Sequence, residues 1–117
     1  KALKIELKKL GPDHPSIANS YVNLGVAYNI KGEYDRAIEY FKKALKIELK
    51  KLGPDHPSVT NAYGNLGIAY KKKGEYDQAI EYFEKALKIS LKKLGPDHPK
   101  TKSIQKDLAS VHRMKSL

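Results

Sequence analysis

KALKIELKKLGPDHPS, residues 1–16, returns letter for letter at residues 43–58. It returns again at residues 85–100 with two changes, Ser90 in place of Glu48 and Lys100 in place of Ser58. The period is 42 residues. Strict recurrence at 20–50 residues marks an array of one supersecondary unit, each copy burying its apolar face on the next. The chain of 117 residues is therefore read as a single repeat array, in which binding by an extended surface is expected and an enclosed active site is not.

Within the quoted phrase, Leu3, Leu7 and Leu10 fall on one helical face, and Ala2 and Ile5 widen it. Gly11 and Pro12 stop that helix. Residues 1–10 thus read as the tail of a second helix whose first half, present before the equivalent Lys43, lies upstream of Lys1. Asp13 or His14 caps the next helix, which Pro15 opens. That helix spans Pro15–Lys31, with Ile17, Tyr21, Leu24 and Tyr28 as its core stripe. Gly32 closes it, and a second helix runs from Tyr34 to Leu52 on Tyr34, Ala37, Ile38, Phe41, Ala44, Leu45, Leu49 and Leu52.

The pair repeats as Pro57–Lys73 and Tyr76–Leu94, so residues 15–52 and 57–94 are two helix pairs. Residues 99–117 differ. Ile104, Leu108 and Val111 keep one apolar stripe, while Thr101, Gln105 and His112 stand where Val59, Tyr63 and Tyr70 stood. A helix with one sticky face suits the end of an array, and this segment reads as a C-terminal capping helix. The expected fold class is all-α, a solenoid of antiparallel helix pairs; no stretch alternates like a strand.

Asn23-Leu24-Gly25-x-Ala27-Tyr28, then Gly32-x-Tyr34-x-x-Ala37, Phe41 and Ala44-Leu45, resemble the tetratricopeptide repeat. The second copy carries Asn65-Leu66-Gly67, Tyr70, Gly74, Tyr76, Ala79, Phe83 and Ala86-Leu87. Where that family normally closes its second helix with proline, this sequence has Leu49 and Leu91, and the helix runs on. The longer unit looks like the 42-residue repeats of kinesin light chains. The resemblance covers residues 1 to about 98 and weakens in the last helix, where Ala109 replaces the glycine and His112 the tyrosine. It implies a right-handed superhelix, a groove on the first helices that binds a peptide or helix of a partner protein, and no catalysis.

Residues 1–42 and 43–84 differ at nine positions: 17, 18, 20, 22, 26, 29, 30, 36 and 42. Seven lie on the first helix. At ~100° per residue, Val22, Val26, Asn29 and Ile30 form one stripe, read as exposed and opposite the core stripe. Their counterparts are Gly64, Ile68, Lys71 and Lys72. Beside them Asn19 and Asn23, repeated as Asn61 and Asn65, offer carboxamides that can clamp an extended backbone or simply bond a neighbouring helix. The groove candidates are thus Asn19, Val22, Asn23, Val26, Asn29 and Ile30 with Asn61, Asn65, Ile68, Lys71 and Lys72.

Other chemistries find little support. Without cysteine there is no disulfide or thiolate metal site. His14, His56 and His98 recur one per loop, and helices stacked ~8–10 Å apart do not bring such histidines onto one metal ion. They read as turn chemistry. No phosphate loop or nucleophile elbow occurs, so no cofactor and no enzyme activity are expected. The tyrosines recur at core spacing, with Tyr40 and Tyr82 left open as core or as stacking platforms. The net charge of +10 rests on 21 lysines and two arginines. That composition fits a solvated outer face better than arginine-rich nucleic-acid readout. Two alternatives to the groove are carried forward. One is self-association, head to tail through the array ends or by domain swapping; the other is screened electrostatic binding of nucleic acid or acidic lipid. No apolar run is long enough to span a membrane, no leader is apparent, and an intracellular, cytoplasmic setting is expected.

Overall fold

The structure, a computed structural model, describes residues 14–117. The helix tail read at residues 1–10 and the cap alternative Asp13 lie outside the described residues. Among the described residues five α-helices and no strand occur: α1 Pro15–Lys31, α2 Tyr34–Leu52, α3 Pro57–Lys73, α4 Tyr76–Lys93 and α5 Pro99–Ser116. Each helix packs antiparallel on the next in the chain. The result is an all-α solenoid of helix pairs measuring 46 × 31 × 19 Å.

The same local chemistry starts every first helix. His14, His56 and His98 are extended N-caps whose imidazole Nδ1 accepts the backbone N–H of Ser16, Ser58 and Lys100, each at 3.1 Å. One otherwise orphaned donor per helix is satisfied in this way. Histidine therefore takes the cap at the first loop, where Asp13 was the other choice. At the far end of α1 and α3, Gly32 (φ 84°) and Gly74 (φ 92°) take the left-handed conformation, and the next N–H returns to Tyr28 or Tyr70.

Two glycines hold the pairs together by close approach. A Cβ on Gly25 would fall 2.5 Å from Cε1 of Phe41, and one on Gly67 would fall 2.7 Å from Cε1 of Phe83. Each phenyl thus lies directly on the backbone of the preceding first helix. Around them the main core gathers Ala37, Ile38, Leu66, Ala69, Tyr70, Ala79 and Val111, and a second cluster joins Ile17 and Ala18 to Ala44 and Ile47. Tyr40 stacks between Tyr21 and Tyr28, with centroids 5.9 and 5.6 Å away, and Tyr82 stands likewise between Tyr63 and Tyr70. The tyrosines left open thus pack on one another, with Lys43 and Lys85 lying over the rings.

On α2 the inward face read from the sequence holds at Ala37, Ile38, Phe41 and Ala44, which are buried, and at Leu45, which packs on the main core, but it departs at the helix end. Ile47 is buried and Leu52 is exposed. The stripe Ala37, Phe41, Ala44 continues at i+4 onto Glu48, which is half-buried, and in α4 onto Ser90, which is wholly buried. A polar residue thus sits on the core meridian of each long helix, and the leucine extension rolls to either side of it. Ser90 is accommodated by a buried hydrogen bond, its Oγ lying 2.6 Å from Oγ1 of Thr101 in α5. The turns at the opposite edge are joined by ion pairs: Lys73 bridges Asp35 at 2.7 Å and Glu75 at 2.6 Å, and Lys115 pairs with Asp77.

Candidate functional site

The first helices α1, α3 and α5 lie side by side. Two contacts show it directly: Lys100 of α5 donates to Asn61 Oδ1 of α3, and Asn19 of α1 shares a cavity wall with Ser58 of α3. The stripe read from repeat divergence lies across these helices, and its members differ sharply in exposure. On α1, Asn19 and Asn23 are exposed, Val26 is 41% exposed and Ile30 79% exposed. An isoleucine so bare is the largest apolar exposure inside any helix pair, in a chain whose other isoleucines on described helices are mostly buried.

Val22, Asn29 and Ile68 do not stand free in solvent. Val22 is half-buried and packs against both core clusters, and Ile68 packs against the main one. Asn29 is half-buried with its Oδ1 buried and without a hydrogen-bond partner. The helical arc that looked wholly exposed therefore turns one edge into the core: α3 is packed between α2 and α4, and on α1 Val22 lies against both core clusters. On α3, Asn61 is exposed, Asn65 and Lys71 are half-buried, and Lys72 is exposed.

A shift of 42 residues carries the stripe onto α5 as Ser103, Lys106, Asp107, Ser110, Arg113 and Met114. These positions were passed over in the sequence because α5 had lost the repeat's letters; the period alone would have found them. Asp107 is half-buried, and burial raises its carboxyl above the usual carboxylate range while the positive charge of Lys71 pulls it back. That coupling places α3 and α5 charges within reach of each other on this face. The face therefore runs from an uncharged, apolar bank on α1 to a basic one on α3 and α5.

A cavity of about 140 Å³ opens at the loop end of this face, between α1, α2 and α3. Ala18, Ile47 and Leu52 supply its apolar lining, and Asn19, Glu48, Lys51 and Ser58 its polar groups. Burial pushes the Glu48 carboxyl above the usual carboxylate range. Sequence reading passed over Glu48, although its place four residues after Ala44 on the core stripe was the available signal. No group of three metal-ligating side chains is present among the described residues. No described helix is long and apolar enough to cross a membrane.

The tetratricopeptide repeat profile matches the chain over residues 1–50, 16–92 and 58–116. Among solved structures, a Podosopora anserina protein described as a kinesin light chain with nearly identical TPR-like repeats is similar, at 30% identity and a TM-score of 0.81. The match covers 97% of this chain and 54% of that one, so the chain spans about half the length of that relative. BtubC (BKLC) from P. vanneervenii superposes with a TM-score of 0.84 at 23% identity, over 97% of this chain and 45% of that one. The N-terminal domain of stress-induced protein-1 from C. elegans does so at 0.70 and 14% identity, over 94% and 76%. These last two likenesses concern the fold alone. No curated protein sequence matches the chain.

Proposed function

The chain belongs to the tetratricopeptide repeat family, and we propose from that premise that its first helices form a groove for an extended segment of a partner protein. The fold is a non-catalytic protein-interaction scaffold. The groove is the finer reading, and one observation carries it: Ile30 and Val26 stand exposed on α1 beside the exposed carboxamides of Asn19 and Asn23. Contiguous apolar patches on a folded surface mark contact sites, and Val26 and Ile30, one turn apart on α1, are adjacent. Carboxamides, each with donors and an acceptor, can hold a peptide backbone there.

The gradient across the face supports a partner class. A segment that sets an apolar residue against Val26 and Ile30 and acidic residues toward Lys71, Lys72, Lys106 and Arg113 matches both banks. The half-buried Asn65 and Asp107 belong to the same stripe on α3 and α5. Val22 and Ile68 serve the groove mainly as its floor, since both pack on the core.

Self-association by continued stacking has weaker support. Ala109 of α5 occupies the place where Gly25 and Gly67 receive a phenyl, so a further second helix of the same type would meet a methyl group. Purely electrostatic binding is weakened by the cations already committed to carboxylates, including Lys73, Lys92 and Lys115.

The test is a peptide-display selection against the wild-type chain, followed by affinity measurement on Ile30→Glu and on the double variant Asn23→Ala, Asn65→Ala. Enriched peptides are expected to pair an apolar residue with acidic ones and to lose binding to both variants. Peptides that bind the variants as tightly as wild type would sink the groove.

A further inference from the structure

The two junctions between repeats are built from the same phrase, yet they differ at the same three points. At the first junction stand Ala18, Glu48 and Ser58; at the second, in the same places, stand Thr60, Ser90 and Lys100. At the second junction the chain's own Lys100 reaches back and donates its ammonium to Oδ1 of Asn61. Asn19 is the counterpart of Asn61 at the first junction, and there the residue facing it is Ser58, too short to do the same. The space is instead the cavity of about 140 Å³, and its wall carries an added carboxylate, Glu48.

We propose that this cavity between α1, α2 and α3 binds a primary ammonium on an alkyl stem, the side chain of a lysine contributed by a bound partner. The chain itself supplies the template: at one junction an internal lysine sits on the asparagine, and at the other an external one takes its place. The volume is well below the ~300 Å³ at which pockets for whole small molecules begin. It suits one side chain. Ala18, Ile47 and Leu52 lie against the methylene stem, while Glu48, Asn19 and Ser58 offer oxygen acceptors to the three ammonium hydrogens.

Glu48 gains from such a guest. It makes no ion pair with a described cation, and burial is the cause of its raised carboxyl. A half-buried carboxylate in that state is stabilised by an incoming cation more than an exposed one would be. The guest's source rests on the groove reading, since Asn19 belongs to both surfaces. The cavity's chemistry does not rest on it, and the two fail separately.

The test is an NMR titration of the isotopically labelled chain with three probes: Nα-acetyl-lysine N-methylamide, its norleucine counterpart, and alanine amide with a free α-amine. The lysine probe is expected to shift the Asn19 carboxamide and the Glu48 and Ser58 amides, and the other two probes are not. Glu48→Gln should weaken the lysine probe about tenfold or more, the equivalent of about 1.4 kcal/mol. Ser58→Lys, which rebuilds the second junction's arrangement at the first, should abolish it. Ile30→Glu should leave it unchanged, so a groove that fails its own test leaves this result standing. Equal shifts from norleucine would reduce the cavity to an apolar dent. Equal binding by alanine amide would overturn the lysine assignment, and unchanged binding to Glu48→Gln would overturn the site.

Discussion

Gly64 and Gly67 lie three residues apart in α3, and replacing each by alanine should move stability in opposite directions. Alanine in a helix interior is favoured over glycine by about 1 kcal/mol, and this gain is common to both sites. A Cβ at Gly64 meets nothing within 4 Å, and the equivalent residue of the first repeat is already Val22. Gly64→Ala should therefore stabilise by about 1 kcal/mol. A Cβ at Gly67 would fall 2.7, 2.8 and 2.8 Å from three carbons of the Phe83 ring, which is wholly buried and has no free end to swing aside. Overpacking of this kind costs ~1–3 kcal/mol, and the rigid ring argues for the upper part of that range. Gly67→Ala should therefore lose roughly 1–2 kcal/mol net. The difference between the two variants is the overpacking cost alone, because the propensity gain cancels. Urea unfolding followed by circular dichroism reads it as a midpoint shift at constant slope. Adding Phe83→Leu to Gly67→Ala should restore much of the loss, since it removes the colliding atoms. The reasoning fails if the two alanine variants agree within about 0.5 kcal/mol, near the additivity error expected of independent sites.

Two further outcomes follow from polar groups on the core meridian. The folded-state Glu48 carboxyl is raised by burial, so the native chain holds its proton to higher pH than the unfolded chain does, and stability falls as pH rises from the unfolded value of about 4.3 through the raised folded one. Glu48→Gln should then melt higher than wild type near neutral pH, with the gap closing below pH ~4; a gap that persists in acid would contradict this. Ser90→Ala should cost about 1–3 kcal/mol by leaving the buried Thr101 hydroxyl unpaired, whereas Ser90→Ala with Thr101→Val should be nearly neutral. Equal losses in the single and double variants, read by urea unfolding, would show that the hydroxyl pair is not the source.

Much of the fold could be read from the letters because the array says everything twice. The helix bounds follow from the glycine and proline punctuation at each turn, whereas the close approach of Phe41 and Phe83 to Gly25 and Gly67, and the choice of His14 over Asp13 as cap, came from the structure. The inward face of the long helices was harder. Leu49 and Leu52 drew the reading toward themselves by hydrophobicity, while the helical phase set by Ala37, Phe41 and Ala44 pointed at Glu48. Phase wins over residue type there because α1 and α3 clamp the helix from two sides and fix its rotation. A two-sided grip of the same kind, by α2 and α4 on α3, explains why Ile68 turned inward although its stripe read as solvent-facing, and Val22 is drawn in by the two core clusters it packs against. Which edge of a helix a third neighbour covers is a property of stacking, and no single helix pair contains it.

That grip also decides where binding can change without cost to the fold. In a solenoid each unit is stabilised by itself and its immediate neighbours, so a substitution is felt at one interface or at none. Val22 and Ile68 belong to interfaces, and altering them perturbs packing along with any groove. Asn23 and Ile30 touch neither core cluster and stand in solvent, so an effect there on a partner is separable from an effect on folding. The junctions sit between these extremes. Glu48 and Ser90 occupy one packing position, but Ser90 is closed by Thr101 and Glu48 is left at a cavity wall. A polar residue on the core meridian costs desolvation wherever it stands. At the second junction that cost is offset within the chain. At the first it is offset when something from outside supplies the missing charge, and this makes the nearly identical repeats unequal as binding surfaces.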